Sequence, residues 1–519
     1  MPLLPVVLVL ACGSGTSDTS RPATTDSATP DDLLDDGGWL ARASLDLRGV
    51  RPSASELQSV LDGDASVLDH VGEWVRDPRF PTRMAWLWND VIHTGVWADD
   101  YSRFGELDFE TWRALGQEPL QLIAAVIDED RPFSDVLVAT ETRANAVLAD
   151  LYGLDHASSD WGWVPYTDGR PAAGVLSTNT LWLRYTADAV NLNRTRANTV
   201  ADLFLCADFL ERDGDFSFAI NAEDLADVER AVSEQPACLT CHAALDPLAA
   251  FFGGFAQRSD ELPDDQYLRW SQHRADWFAA RVTPSYYGVP GADLADLGQA
   301  MAQDPRFASC AASRFHEGLI GAAPTLEQQL ALGARFQALD QDVRALVVEL
   351  IADPDYRAQD GRLLHVEQLG SSLTDLLAWG DGDSEVDGLN ALTWSEPHRL
   401  LGGGTDDDTV LFRNTSAAVG LQILLEWTAR QAVVPALEAD LARSEPVLLL
   451  AGIPTDEGAL RDQLMAWHLR FLSRPVDSDS AEIDALVDLW TQAGGDSDPQ
   501  AALAEVLGVL VRHPEGVLY

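Results

Sequence analysis

The chain of 519 residues contains no lysine, so its 35 basic residues are all arginines. They stand against 83 acidic residues, which gives a formal net charge of -48. Because binding to a phosphate backbone requires basic patches, this balance argues against a nucleic-acid partner. It favours a soluble acidic surface, and such a surface would steer the approach of a basic partner.

Long apolar runs are also missing, apart from a short one at the amino terminus. The run from Leu3 to Leu10 is too short to span a bilayer as a helix, and no basic residue precedes it. It ends in the letters VLAC, which resemble the lipobox of bacterial lipoproteins. That resemblance implies a lipoprotein signal over 1–12 and a lipidated Cys12. We therefore expect an extracytoplasmic protein anchored to a bacterial membrane, with a cytosolic protein as the alternative.

The rest of the chain divides by composition and apolar spacing. Apolar residues recur at three and four positions, which predicts a mostly α-helical fold built from several helical-hairpin units. The expected order is a disordered tether (13–36), a helical domain (37–150), a loop-rich connector (151–198), a domain that contains the stretch CLTCH with a following helical unit (199–360), an acidic linker (361–389) and a carboxy-terminal helical domain (390–519).

Three of the predicted hairpins share the same start and stop signals. Each begins at a capping-box pattern and ends at a proline, which cannot continue a helix. The caps are Ser53 with Glu56, Thr325 with Gln328 and, more loosely, Asp479 with Glu482; the stops are Pro78, Pro354 and Pro514. The pattern indicates three related building units, unless it is a coincidence of common helix punctuation.

Two of only five cysteines stand together in CLTCH, at Cys238 and Cys241, with His242 directly after them. This is the attachment signature of c-type haem, in which two thiols reach the vinyl groups and the histidine offers a nitrogen to the iron. A zinc site needs four ligands, and no second Cys/His pair with ligand spacing is present. A thioredoxin-like dithiol would require a neighbouring strand–helix unit. We expect haem c here, with a dithiol or disulfide as the alternative.

Met301, the free histidines and the remaining cysteine pair are further candidates for functional or structural roles. Met301 follows His242 at a separation that suits a methionine-ligated cytochrome, although its amphipathic surroundings equally suit a core methionine. The free histidines are weaker candidates for the same position on the iron. Cys206 and Cys310 predict a disulfide in an exported protein, or else two separate buried thiols.

Several stretches resemble the planctomycete-type cytochrome proteins, an exported family with a CxxCH motif and no settled reaction. They are SLDLRGVRPSASELQSVL with DPRFPTRMAWLWNDVIH, NRTRANTVADLFLC, CLTCHAALDPLAAFFGGF, the domain over 290–357, and the carboxy-terminal RLLGGGTDDDTV and FLSRPVD to HPEGVLY. Asp246-Pro247 follows the motif as in the family, whereas Ala249 stands where a glycine is common. The resemblance implies an exported haem protein with a cytochrome c-like motif in its central domain.

Two other groups of side chains have ordinary structural interpretations. Asp90 and His93 are three positions apart on a predicted helix, where a carboxylate would orient an imidazole or simply form a helix-face contact. The letters GDGDSEVDG place acids at alternate positions, but the order of a calcium-binding EF-hand fails, so we expect a solvated acidic linker.

Two functions remain for the whole chain. In the first, a lipid-tethered protein with one haem c transfers electrons or serves as the haem part of an oxidoreductase. In the second, a non-enzymatic surface scaffold or binding lipoprotein uses the CxxCH pair only structurally. The sequence leaves the substrate and the oligomeric state open.

Overall fold

The computed structural model describes most of the folded body. The described residues are 33–95, 107–188, 191–210, 225–257, 260, 267–358, 361–378, 403–406, 409–413 and 419–519. The predicted lipidation site Cys12, positions 13–32 of the predicted tether and the acidic stretch GDGDSEVDG lie outside these residues.

The prediction of a mostly α-helical fold is confirmed. None of the helices within the described ranges is both long and apolar enough to cross a membrane. The helices of the amino-terminal half are α1 (Asp36–Arg48), α2 (Ala54–Leu61), α3 (Val67–Trp74), α4 (Phe80–Ile92), α5 (Phe109–Asp128), α6 (Asp135–Val138), α7 (Ala146–Tyr152), α8 (Asn179–Arg184), α9 (Arg194–Leu205), α10 (Leu225–Glu234) and α11 (Pro236–Ala249).

The carboxy-terminal half is also mainly helical. Its helices are α12 (Gln272–Ala279), α13 (Leu294–Ala302), α14 (Pro305–Ile320), α15 (Leu326–Ala338), α16 (Val343–Ala352), α17 (Val366–Leu376), α18 (Val419–Ala442), α19 (Glu457–Leu472), α20 (Ala481–Gln492), α21 (Pro499–Val511) and α22 (Pro514–Val517). Three antiparallel pairs of strands complete the fold: β1 (Thr142–Ala144) with β2 (Gly162–Val164), β3 (Ser285–Tyr286) with β4 (Val289–Pro290) and β5 (Gly403–Asp406) with β6 (Thr409–Arg413).

The helix ends follow their capping residues. The predicted boxes at Ser53 and Thr325 are confirmed, since each side chain accepts the N3 backbone N–H while the N3 side chain accepts the N-cap N–H. The third predicted cap, Asp479, is wrong by one residue. The N-cap of α20 is the next residue, Ser480, whose hydroxyl accepts the N–H of Ile483. Helices α3, α16 and α21 end before the predicted stop prolines.

The largest hydrophobic core is rich in aromatic side chains. Trp88 on α4 is fully buried, with its ring centroid 5.1 Å from that of Phe133, 6.2 Å from Phe204 and 5.9 Å from Phe315. Such close aromatic packing stabilises a core beyond the area it buries. The core takes residues from both 37–150 and 199–360, so these two predicted units share one interior.

A second core is mainly aliphatic and lies at the carboxy-terminal end. It is built from α17 to α22, with Leu464 and Trp467 of α19 near its centre, and Leu45 of α1 also belongs to it. Helix α1 joins the two cores, because the Arg42 guanidinium donates to the carbonyls of Tyr356 and Tyr519. The boundary between the cores is therefore a place where distant parts of the chain meet.

Candidate haem-attachment site

Helix α11 carries the whole CxxCH motif in its first two turns. Pro236 occupies the first helical position, where a missing N–H costs no hydrogen bond within the helix. Residues three and four positions apart lie on the same face of a helix. Cys238, Cys241 and His242 therefore form one patch of two thiols and an imidazole.

The imidazole of His242 is oriented by a carboxylate one turn further along. Its Nδ1 lies 2.9 Å from Oδ1 of Asp246. We assign the ring proton to Nδ1, because an ionised carboxylate can only accept a hydrogen bond. Nε2 then carries the lone pair, which is the arrangement that prepares a histidine to bind a metal ion.

Asp246 is itself held by Arg194, the first residue of α9. The guanidinium donates from Nε to Oδ1 over 2.7 Å and from Nη2 to Oδ2 over 3.0 Å. Burial acts to raise the pKa of Asp246, but the hydrogen bonds from His242 and Arg194 outweigh it and keep the pKa below its ordinary value. The carboxylate is thus ionised near neutral pH and fixes the ring of His242.

The two thiols of the motif are not bonded to each other. Cys238 is buried, and Sγ of Cys241 lies 3.7 Å from the carbonyl oxygen of Phe209. Beside them Leu239 and Leu210 present apolar side chains that are 37 % and 84 % exposed. Two free thiols, an oriented imidazole and an adjoining apolar surface fit the chemistry of c-type haem.

The other two cysteines are joined in a disulfide. The sulfurs of Cys206 and Cys310 are 2.11 Å apart, and the bond links the end of α9 to α14. Arg194 lies at the opposite end of α9. The cross-link therefore anchors the same helix that supplies the guanidinium for Asp246.

Met301 lies on α13 and is fully buried in the first core. Gly298, one turn earlier, packs so closely on α6 that a Cβ there would lie 2.2 Å from the carbonyl oxygen of Leu137. This close approach seats α13 firmly, and Met301 fills core space where it stands. Its assignment as the sixth iron ligand stays a prediction.

Other histidines engage nearby protein groups. Nδ1 of His316 lies 3.1 Å from the Ala322 carbonyl oxygen, and Nδ1 of His468 lies 2.9 Å from that of Arg474. Across the part of the chain that the structure describes, no group of three or more His, Cys, Asp or Glu side chains is placed to hold a metal ion. A haem differs from such a group, because the chain supplies only axial ligands to its iron.

The predicted pair of Asp90 and His93 lies at the end of α4. His93 is the C-cap residue with a left-handed φ of 51°. Burial lowers the pKa of His93 to about 4, with Asp90 acting in the opposite direction. Oδ1 of Asp90 also lies 3.9 Å from Nδ1 of His365. The imidazole of His93 is therefore neutral at pH 7 and stabilises the fold in that form.

Sequence reasoning missed Arg194. The residue lies in the stretch NRTRANT, whose resemblance to a haem-motif domain gives no separate role to Arg194. Its contact with Asp246 spans 52 positions, and no local pattern announces it. A basic residue at the start of α9, two helices before the motif helix, is the one local signal that could have suggested it.

Comparison with known proteins returns no relative for this chain. No family model, no curated protein and no solved structure matches it. The functional argument therefore depends on the motif residues and on the contacts that orient them.

Proposed function

We propose that this protein is an exported, membrane-tethered carrier of one haem c, as the resemblance to planctomycete-type cytochrome proteins implies. Cys238 and Cys241 would hold the porphyrin by thioether bonds, and His242 would bind the iron through Nε2. The observation that carries the proposal is the hydrogen-bonded chain from Arg194 through Asp246 to Nδ1 of His242. When bound, the haem would supply one-electron redox chemistry.

Each residue of the site has a defined task in this proposal. The two thiols would add across the vinyl groups, and each would form a carbon–sulfur bond while its hydrogen passes to the neighbouring vinyl carbon. That addition needs free thiols, as at Cys238 and Cys241. Asp246 keeps the ring proton of His242 on Nδ1 and raises the basicity of the iron ligand, and Arg194 keeps Asp246 ionised.

The remaining parts of the proposal concern location and partner. A lipid on Cys12 would hold the body close to a bacterial membrane, on the periplasmic side or at the cell surface. With a net charge of -48, the body would attract a basic redox partner over distances comparable to the Debye length. Electron transfer is therefore the favoured role, with no nucleic-acid partner.

The test is an absorption spectrum of the full chain, exported from a host with haem-attachment machinery. We expect sharp bands in the reduced state, and we expect the colour to stay with the polypeptide in acid denaturant. The matched control is the variant Cys238→Ala with Cys241→Ala, which should release its colour under the same conditions. A colourless wild-type protein would overturn the proposal and favour the non-enzymatic binding role.

A further inference from the structure

A cleft of about 1310 Å³ lies at the boundary between the two hydrophobic cores. Its walls come from α2 and α4 on one side and from α17 and α19 on the other. The cleft is larger than the cavities that usually hold small organic ligands, and such cavities favour boundaries between structural units. Its position is independent of the haem motif, whose three residues are not among its lining.

The charge of the lining is opposite to that of the whole chain. The chain has 83 acidic residues against 35 basic ones. In the cleft, arginines outnumber carboxylates by six to three. The arginines are Arg48, Arg51, Arg79, Arg83, Arg443 and Arg470, and the carboxylates are Glu56, Glu367 and Asp375.

Three of these arginines are matched by a carboxylate close to them in sequence. Their charges are therefore largely cancelled within the protein, although each still has N–H groups that a further acceptor could use. The pairs are Arg48 with Glu56 at 2.9 Å, Arg79 with Asp77 at 2.6 Å and Arg443 with Asp440 at 3.2 Å.

Arg51 and Arg470 are held differently, mainly by neutral oxygen atoms. Arg51 donates to the Ser473 hydroxyl over 3.2 Å and to the Glu515 carbonyl over 2.8 Å. Arg470 donates to the carbonyls of Leu376 and Asp375 over 2.9 and 2.8 Å. The carbonyls fix the guanidinium planes, while Glu515 acts on the charge of Arg51, and Asp375 and Asp440 on that of Arg470, only through space. Fixed guanidinium groups suit two-pronged binding of carboxylate or phosphate.

Arg51 is largely removed from solvent, and burying its positive charge costs free energy. The side chain is only 5 % exposed, and its Nε has no hydrogen-bond partner. Burial lowers the pKa of Arg51 to about 10, although Glu515 opposes this effect. A buried cation that has no carboxylate in direct contact is costly, and an anion bound in the cleft would offset that cost.

We propose that this cleft binds a multivalent organic anion through carboxylate or phosphate groups. Arginines line both walls, with Arg83 on α4 and Arg470 on α19, and the volume exceeds what a single inorganic ion would fill. Apolar side chains, among them the 61 % exposed Leu450, supply contacts for the carbon frame. The chemistry is shared by phosphorylated and carboxylated ligands, and the experiment separates the two.

The test is isothermal titration calorimetry of the full chain at low ionic strength. The probes are inositol hexakisphosphate for phosphate groups, citrate for carboxylates and myo-inositol as the neutral control. We expect one site for at least one of the two anions, weaker binding as salt is added, and no binding of myo-inositol. The stronger of the two anions identifies the preferred group, and binding of neither anion would overturn the proposal.

A variant that introduces a negative charge into the cleft lining locates the site. Thr82 is exposed on α4 and lines the cleft, so Thr82→Glu adds a carboxylate without removing an arginine. We expect affinity to fall by about tenfold or more, because like charges in a binding site repel. The control Thr491→Glu adds the same charge to an exposed position of α20 outside the lining. Equal affinity of the two variants would overturn the proposed location.

A second variant protects the test against a folding defect. Ser371 is exposed on the opposite wall, on α17. Ser371→Glu should weaken anion binding in the same direction as Thr82→Glu while the melting temperature stays close to that of wild type. If this variant melts normally and binds the anion as tightly as wild type, the cleft is not the binding site.

Discussion

The haem-motif site and the arginine cleft both depend on guanidinium groups, but the positive charge is held in a different way in each. At the motif, Arg194 makes a two-pronged ion pair with Asp246. In the cleft, Arg470 donates to main-chain carbonyls. The first guanidinium is paired directly with a carboxylate, whereas Asp375 and Asp440 act on the second only through space, so that a bound anion would add a direct partner.

This difference explains what each region is suited to do. A neutralised pair at Asp246 does not attract a charged ligand, but it holds the imidazole of His242 in one orientation. Arginines held by carbonyls keep a positive charge that nearby carboxylates only partly offset, and this charge lowers the electrostatic cost of admitting an anion. The two regions therefore predict different responses to reduction, to pH and to substitution.

Reduction of the disulfide between Cys206 and Cys310 should have the largest effect. The bond closes a loop of 104 residues, and loss of such a cross-link costs about 5 kcal/mol in a chain-entropy model. Urea unfolding with and without a reductant measures this change. Because the disulfide braces α9 on the motif side, anion affinity at the cleft should stay the same in the reduced, folded protein.

A control separates this effect from other actions of the reductant. The variant Cys206→Ala with Cys310→Ala should be less stable than wild type and should not respond to reductant. If wild type and variant lose equal stability on reduction, the cross-link is not the stabilising element.

Acid should destabilise the protein through His93, the C-cap residue of α4. The unfolded chain takes up a proton on this residue below about pH 6.5, whereas the folded chain does so only near pH 4. Unfolded protein therefore binds more protons in this window, and stability falls by up to about 3 kcal/mol as pH drops across it. His93→Asn should remove the His93 share of this slope and leave the share due to His316 and His468, whose pKa values burial also lowers. Asparagine tolerates the left-handed C-cap.

Urea unfolding between pH 7 and pH 4 checks the prediction. The matched control is His273→Asn, which replaces an exposed histidine on α12. That variant should keep the wild-type slope. A slope unchanged in His93→Asn would mean that another group carries the acid response.

Breaking the ion pair at the motif should have an intermediate effect. In Asp246→Asn the guanidinium of Arg194 loses its anion, which should cost about 1–2 kcal/mol because both groups are only partly buried. A double-mutant cycle with Arg194→Gln isolates the coupling between them. In haem-loaded protein, Asp246→Asn should also lower the basicity of the iron ligand and so raise the midpoint potential.

The same cycle distinguishes orientation from mere stability. Asp246→Asn and Arg194→Gln are expected to shift the potential in opposite directions, because the first removes a negative charge beside His242 and the second removes the positive charge that offsets it. Additive free energies together with an unshifted potential would contradict the proposed chain of hydrogen bonds.

The smallest effect is expected at the rim of the cleft. Arg79 is partly exposed and already paired with Asp77, so Arg79→Gln should weaken anion binding by roughly threefold. Arg335→Gln is the matched control, because Arg335 is an exposed, ion-paired arginine outside the cleft. Calorimetry with the stronger of the two anions compares them. A larger loss in Arg335→Gln would place the binding elsewhere.

The contrast also shows how far sequence alone leads. The capping boxes at Ser53 and Thr325 could be predicted because a helix start is decided within four residues. The motif at Cys238 was visible for the same reason. The cleft was not, because Arg51 and its partner Ser473 are 422 positions apart and meet only after both cores form. A contact between residues so far apart in sequence becomes visible only when the fold is known.

Long-range packing explains the remaining differences. The predicted units 37–150 and 199–360 share one core, because Trp88 packs on Phe204 and Phe315. The predicted acidic linker contains α17, whose Leu369 and Leu373 are buried in the second core. The composition shows that this stretch contains many acids, but it does not show which of its apolar residues pack into a hydrophobic core.

The most direct measurement is the intact mass of the exported protein from a host that attaches haem. The account predicts the mass of the polypeptide plus one haem, with the addition lost in Cys238→Ala with Cys241→Ala. An exported wild-type chain that carries no added porphyrin would contradict it.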